Sequence, residues 1–273
     1  MHGMPESGSP SGDAPQPPSA GSRRRAAVAG LAALLPVIPI VVGLLLSSGG
    51  GAGASTTTAA HFTPAPAARP GALPQGFGAL VALVVHPTTM RAAPAGKTIA
   101  QVRTRTEFGS PEALLVKQSS GAWLGVISTL AGNGRIGWIP LSAVSLSRVT
   151  WELKVSLTRR QLTVLDAGMI RERYTVAVGR PDAPTPTGEF AVTDRLSTGD
   201  PSGPYGCCIL ALSAHSPHAI QGWGGGNRIA IHSTPDSTSI GQPVSHGCVR
   251  LTLAEGRWLL NHIPLGTPAL ISS

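Results

Sequence analysis

The alternation of hydrophobic and polar positions changes character four times along the chain. Residues 1–25 carry mostly Ser, Pro, Gly and Ala with few large apolar side chains, a composition that predicts a disordered tail. Residues 26–46 then run without a single charge. At about 1.5 Å per residue that stretch reaches roughly 30 Å, the thickness of a bilayer core. Pro36 and Pro39 fall inside it, as spanning helices tolerate. The pattern predicts a single transmembrane anchor, with a signal peptide cleaved near Ala52-Gly53-Ala54 as the alternative. Residues 47–78 are rich in Gly, Ala, Thr and Pro and predict a partly extended tether.

Beyond the tether the period shortens. Leu80–Val85, Ile99–Thr104, Leu114–Val116 and Trp123–Ile127 are apolar or alternating runs of strand length. Asn133-Gly134 fits a two-residue hairpin turn, whose central positions need positive φ. Five or so short strands within residues 79–148 predict a small barrel. Trp123 with Gly137-Trp138-Ile139 resembles bacterial SH3-like domains of cell-wall enzymes, which implies a positioning or binding module; a packing module without a ligand fits as well. From residue 149 to 273 the pattern stays mainly β. Trp151, Leu153, Val155 and Leu157 alternate with Glu152, Lys154 and Ser156, and a turn is expected at Asp166-Ala167-Gly168. Thr252-Leu253-Ala254-Glu255 reads as a capping box opening one short helix to about Asn261, followed by a last strand at Ala269–Ile271.

Composition narrows the classes. With 34 Gly, 25 Pro and only 12% charged residues among 273, a coiled coil or long helical bundle is excluded, and 42% hydrophobic content excludes wholesale disorder. Three cysteines exclude a disulfide-rich scaffold. The net charge of +8 is scattered rather than blocked, so an anionic surface is a better expectation than nucleic acid, and no nucleic-acid partner is expected. Arg23-Arg24-Arg25 before the apolar run predicts a cytoplasmic tail. The expected location is the cell membrane, single-pass, with everything after the anchor extracytoplasmic and facing the wall.

The chemistry concentrates between residues 228 and 251. Ile231-His232-Ser233 ends an apolar run, and Ser245-His246-Gly247-Cys248-Val249-Arg250 follows a polar loop. A cysteine attacks as thiolate, so it needs a base or a positive field, and a neighbouring imidazolium would favour that form. Gly247 permits a tight turn whose amides point at a developing oxyanion. His232 is expected to be the base, because it arrives from a different strand, whereas the turn through Gly247 leaves the direction of His246 open.

Ile231-His232, the Ser-His-Gly-Cys signature with Arg250, and Thr185-Pro186-Thr187-Gly188-Glu189-Phe190 upstream together resemble an L,D-transpeptidase of the YkuD family. Anchor, linker and small β domain resemble the arrangement of actinobacterial members. The resemblance implies a mostly β fold, an SH3-like barrel followed by a YkuD-type catalytic domain with one or two short helices. It implies that Cys248 attacks the bond between diaminopimelate and D-Ala in a peptidoglycan tetrapeptide stem and passes the acyl group to an amine, forming wall cross-links. His232 would be the base, and Ser233, standing where several members carry Gly, would orient it through hydroxyl or carbonyl. His246 would shape the site against thiolate or substrate, and amides near Gly247 and Cys248 would hold the oxyanion.

Arg250 is expected to hold a substrate carboxylate, or else to form a surface ion pair. Tyr205 would line the cleft or belong to the core. Trp223, before Gly224-Gly225-Gly226, would sit on a flap or a plain surface loop. No cofactor or metal is implied, and carbapenem-type β-lactams are the expected inhibitors. Cys207 and Cys208, on an expected strand, read as two thiols or as one bridge to an unknown partner, a vicinal bridge being disfavoured by its local geometry. Two other functions compete: a zinc-binding extracytoplasmic hydrolase using His232, His246 and Cys248 with His215 or His218, and a non-catalytic wall-binding protein.

Overall fold

The apolar run Leu80–Val84 pairs with the strand that carries Leu114 and Leu115, Val81 opposite Leu115 and Ala82 opposite Leu114. A computed structural model describes residues 76–219 and 223–273, all within one compact unit, Thr63–Ser273. The predicted tail, the 26–46 span and nearly all of the tether lie outside the described residues. Among those described, no helix is long and apolar enough to cross a membrane.

Seven strands form a first sheet: β1 (Ala79–Val84), β2 (Thr88–Arg91), β3 (Thr98–Val102), β4 (Ala113–Ser120), β5 (Trp123–Ile127), β6 (Gly137–Pro140) and β7 (Val144–Val149). Their order is β3-β2-β6-β5-β4-β1-β7, every pairing antiparallel. Leu80, Ala82, Val84, Met90, Leu114 and Leu124 fill its core, each full burial of a large aliphatic stabilising by roughly 1.5–3 kcal/mol. The expected turn at Asn133-Gly134 forms, the Arg135 amide donating to the Gly132 carbonyl at 3.3 Å, but it does not join two strands as a two-residue hairpin. The β5–β6 connection spans residues 128–136, and from within that turn the Asn133 side chain bonds the backbone of His215 in both directions, Nδ2 donating to the carbonyl at 2.7 Å and Oδ1 accepting from the amide at 2.9 Å.

The second sheet starts immediately afterwards. Its strands are β8 (Trp151–Ser156), β9 (Gln161–Asp166), β10 (Met169–Thr175), β12 (Gly188–Ser197), β13 (Cys208–His215), β14 (Arg228–Ser233), β16 (Val249–Leu251) and β17 (Pro268–Ser272), while β11 (Val178–Gly179) and β15 (Pro243–Ser245) form a separate parallel ribbon. The order is β10-β9-β8-β17-β12-β13-β14-β16, and β14–β16 is parallel. The expected turn closes β9 onto β10, pairing Met169 with Asp166 and holding Ala167 at φ 53°.

One α-helix, α1 (Leu253–His262), caps the sheet. Its predicted capping box is present: Thr252 Oγ1 accepts from the Glu255 amide at 3.4 Å, and Glu255 Oε2 accepts from the Thr252 amide at 2.9 Å. Losing such a cap costs about 1 kcal/mol. Leu259 enters the core built on Leu153, Phe190, Leu212, Ile231 and Val249. The described chain is therefore mostly β with a single α-helix, as the sequence pattern predicts.

Candidate active site

The parallel register of β14 and β16 assembles the site. Ile231 pairs with Val249 and His232 with Arg250, which sets Ala230 level with Cys248. Residues opposite one another in a sheet share a face, as do residues two apart on a strand. Cys248, His232 and Arg250 thus share one face, while Ile231, Val249 and Leu251 turn into the core of the other. The Ala230 amide donates to Cys248 Sγ at 3.4 Å, and the thiol is half-buried.

His232 is 2% exposed. Its Nδ1 lies 2.7 Å from the Ser233 carbonyl oxygen. A carbonyl only accepts, so Nδ1 carries the proton and Nε2 keeps its lone pair. Of the two routes expected for Ser233, the carbonyl is the one used. The hydroxyl is engaged elsewhere: it accepts from the Cys208 amide at 3.2 Å, lies 3.4 Å from Cys207 Sγ and donates to the Tyr205 carbonyl at 3.4 Å. Gly206 makes room for it, since a Cβ there would collide with Ser233 Oγ.

Electrostatics correct one expectation. Burial pushes His232 down to about 4, the Arg250 charge adds to this, and the Ser233 and Tyr205 carbonyls oppose it. Burial likewise pushes the Cys248 thiol up, opposed by the Ala230 amide and Arg250. Both shifts favour the neutral thiol and the neutral imidazole over thiolate beside imidazolium. His232 is poised to accept a proton during attack rather than to hold one beforehand.

A second correction concerns the oxyanion donors. The Gly247 amide is taken: it donates to Ser245 Oγ at 3.1 Å, and that hydroxyl donates to the Cys248 carbonyl at 2.5 Å. Ser245 is thus the clamp of the turn. The Cys248 amide is left as the donor without a hydrogen-bond partner among the described residues. Gly247 sits at φ 111°, and a Cβ there would stand 2.8 Å from Ile229 Cδ1, so its role is to let the turn pass.

His246 is engaged by Arg180. Its Nε2 lies 2.6 Å from Arg180 Nη1, and Arg180 Nε binds Asp182 at 2.7 Å. A guanidinium only donates, so His246 accepts; burial and the charges of Arg180 and Arg250 hold its basicity below the ordinary value. Arg250 forms no ion pair among the described residues, and its Nε is buried without a hydrogen-bond partner. The surface ion-pair reading is therefore set aside. The Tyr205 ring lies 4.9 Å from the His232 ring. With Trp223 it lines a groove of about 310 Å³ that also includes Thr198, Asp200 and Ile209 and adjoins the site through the Tyr205–His232 ring contact. Trp223 is no plain surface residue, because it stacks on Phe108 at 5.3 Å.

Cys207 and Cys208 are bonded to each other, with Cα atoms 3.8 Å apart, rather than standing as two thiols. The strand begins only at Cys208; Cys207 lies in the turn before it, so the expected in-and-out alternation does not apply and both are buried. Cys248 is a free thiol. No group of three or more His, Cys, Asp and Glu arranged to hold a metal occurs among the described residues, and His215 is tied by Nδ1 to Asn227 and by Nε2 to the Thr129 carbonyl.

Sequence reasoning missed Ser245 as turn clamp, although it stands inside the signature, and missed the Ala230 amide, which only the β14–β16 register reveals. It also missed Arg180, which no spacing announces, and the bond made by Thr185 of the upstream motif, whose Oγ1 accepts from the Gly179 amide at 2.9 Å.

Comparison with known proteins bears on the same residues. Residues 151–271 match the family YkuD, described as an L,D-transpeptidase catalytic domain. The proteins named as the L,D-transpeptidase YkuD of Bacillus licheniformis and of Bacillus subtilis are each 32% identical over 124 residues, covering 45% of this chain and 67% of theirs. Among solved structures, L,D-transpeptidase 3 from Mycobacterium tuberculosis in complex with a faropenem-derived adduct is similar at 19% identity and a TM-score of 0.38, covering 50% of this chain and 73% of its own.

Proposed function

The chain belongs to the YkuD family and is an L,D-transpeptidase, and from that premise we propose how its residues carry the reaction on peptidoglycan. Cys248 Sγ attacks the carbonyl carbon of the peptide bond between diaminopimelate and D-Ala of a tetrapeptide stem. His232 Nε2 takes the thiol proton as the S–C bond forms. The tetrahedral oxyanion meets the Cys248 amide, a donor of the kind worth roughly 3–4 kcal/mol in acyl transfer. His232 then returns the proton to the departing D-Ala nitrogen as the C–N bond breaks, leaving a thioester. An amine of a second stem attacks that thioester, His232 takes its proton, and the thiol leaves reprotonated. Arg250 binds a carboxylate of the stem, and His246 with Arg180 braces the turn.

The observation that carries this reading is the Nδ1 bond of His232 to the Ser233 carbonyl. It frees Nε2 on the face that the strand register gives to Cys248. Three further parts belong to the proposal. Residues 26–46 anchor the chain in the membrane with the catalytic domain outside, supported by Arg23-Arg24-Arg25 before an uncharged run. Residues 79–148 act as an SH3-like module. Carbapenem-type β-lactams acylate Cys248, because a thiol activated by an adjacent base opens a strained amide ring.

The test is mass analysis. Purified tetrapeptide muropeptide should lose D-Ala and yield a cross-linked dimer, and a carbapenem should add one adduct to the intact protein. Cys248→Ala should remove both outcomes while melting like wild type. Product formation by that variant would overturn the assignment.

A further inference from the structure

The connection between β3 and β4, residues 103–112, does more than join two strands of the first sheet. It lies against the second sheet where β14 begins. Thr106 Oγ1 donates to Asp194 Oδ1 at 2.5 Å. Glu107 pairs with the Arg228 guanidinium, and Arg228 also binds Asp194 Oδ2 at 3.0 Å, Thr193 Oγ1, and the Leu212 carbonyl at 3.3 Å. Arg228 is 4% exposed and Asp194 0%. A buried pair is stable only when its remaining donors and acceptors are met, and here two of the partners, Thr106 and Glu107, come from the first sheet's own connection.

Phe108 continues the contact. Its ring stacks on Trp223 at 5.3 Å and an interplanar angle of 23°, with the Arg228 guanidinium 5.6 Å from Phe108 and 5.9 Å from Trp223. A cation beside two aromatic faces favours one arrangement of all three. Trp223 in turn lines the groove with Tyr205, whose ring lies on His232. Chain order adds a second link: Arg228 opens β14, the strand that also carries Ala230 and His232.

We propose that the first sheet positions the substrate groove of the transpeptidase, with Phe108 setting Trp223 and Glu107 setting Arg228. Phe108 and Glu107 are positioning residues. They touch neither thiol nor imidazole and act on the stem through the groove wall. The inference rests on the proposed function for its substrate, and it assigns the 79–149 sheet a role inside the active site beyond any contact with the wall.

The experiment uses the described protein with Phe108→Ala and Phe108→Tyr. Phe108→Ala should raise the tetrapeptide concentration giving half-maximal acylation by roughly 3–10-fold. The limiting rate, and Cys248 alkylation by iodoacetamide, should stay within about twofold of wild type. Phe108→Tyr, which keeps the stacked ring, should restore the wild-type value. Limited chymotrypsin digestion gives a readout that needs no substrate: cleavage after Trp223 should quicken in Phe108→Ala and not in Phe108→Tyr. Unchanged half-saturation, an equal loss of iodoacetamide reactivity, or unchanged Trp223 cleavage would each overturn the proposal. A wild-type protein that alkylates normally yet never accepts an acyl group would instead defeat the proposed function, and the Trp223 cleavage rates would still decide the positioning role.

Discussion

Two arginines four strand positions apart in register make opposite use of burial. Arg228 starts β14, and its guanidinium is met by Asp194, Glu107, Thr193 and the Leu212 carbonyl. Arg250 lies opposite His232 on β16, and among the described residues its side chain has no ion pair, with Nε buried and unpartnered. A charge met on all sides by its own chain is spent on holding sheets together. A charge left short of partners beside a nucleophile keeps its hydrogen bonds for a ligand. The first region is completed by folding, and the second keeps hydrogen-bonding capacity unspent.

The sharpest way to break that contrast is to truncate both. Arg228→Ala leaves Asp194 buried without its guanidinium and should cost about 3–5 kcal/mol of folding stability, read as a fall in the denaturant midpoint. Arg250→Ala should leave the midpoint nearly unmoved. It should lower acylation by stem peptide roughly 10–100-fold, the worth of hydrogen bonds to a charged group. It should also raise the pH at which Cys248 alkylates, because the Arg250 charge helps lower the thiol. Equal losses of stability in the two variants would erase the distinction.

His232 gives the next effect. His232→Ala should slow acylation about 10²–10⁴-fold, the usual worth of a general base. With the imidazole pushed down to about 4, no positive charge is lost at neutral pH, so the alkylation pH profile of Cys248 should hardly move. A clear upward shift would mean that the pair rests as thiolate and imidazolium after all. The linkage has a definite sign. A histidine lowered from 6.5 to about 4 contributes stability that is present above 6.5 and lost as pH falls through 4. His232→Ala should therefore be less acid-sensitive than wild type in that window.

How legible this was depends on the range of the interaction. Alternation marked the strand around Leu153, continuous apolar runs marked those around Leu80 and Trp123, where successive residues are buried, and Thr252 with Glu255 marked α1 because a capping box is complete within four residues. The thiol and the imidazole that the β14–β16 register brings to one face were legible through the Ser-His-Gly-Cys turn and the His232 strand end. The partners of Gly247 and His246 were not. Whether an amide faces an oxyanion or a serine hydroxyl is decided by the turn's closure on Ser245. Whether His246 faces Cys248 or Arg180 is decided by where the ribbon of β11 and β15 lies. Asn133-Gly134 was legible as a turn, which forms, but a local signal does not say how long the connection around it is. The Arg228 cluster was invisible, since Thr106, Glu107, Asp194 and Arg228 meet only when two sheets pack.

The smallest predicted effect tests whether the Arg228 cluster is as complete as the contrast requires. Three carboxylates face that one guanidinium: Glu107, Asp194 and Glu112. Glu112 is buried, and burial first, then the charges of Asp194 and Glu107, push it up to about 7, with Arg228 opposing. Balance between one cation and three acids is thus met in part by a proton on Glu112. An acid raised from 4.5 to about 7 is held protonated by the folded protein where the unfolded chain has released its proton. Its contribution to stability is full below 4.5 and is lost as pH rises through 7. Glu112→Gln keeps the shape and removes the titration. It should match wild type near pH 5 and exceed it by about 1–3 kcal/mol near pH 8, measured by urea unfolding at both values. If the gap is the same at both, Glu112 carries no proton in the fold, and the cluster must balance its charge through solvent at the Glu107 edge.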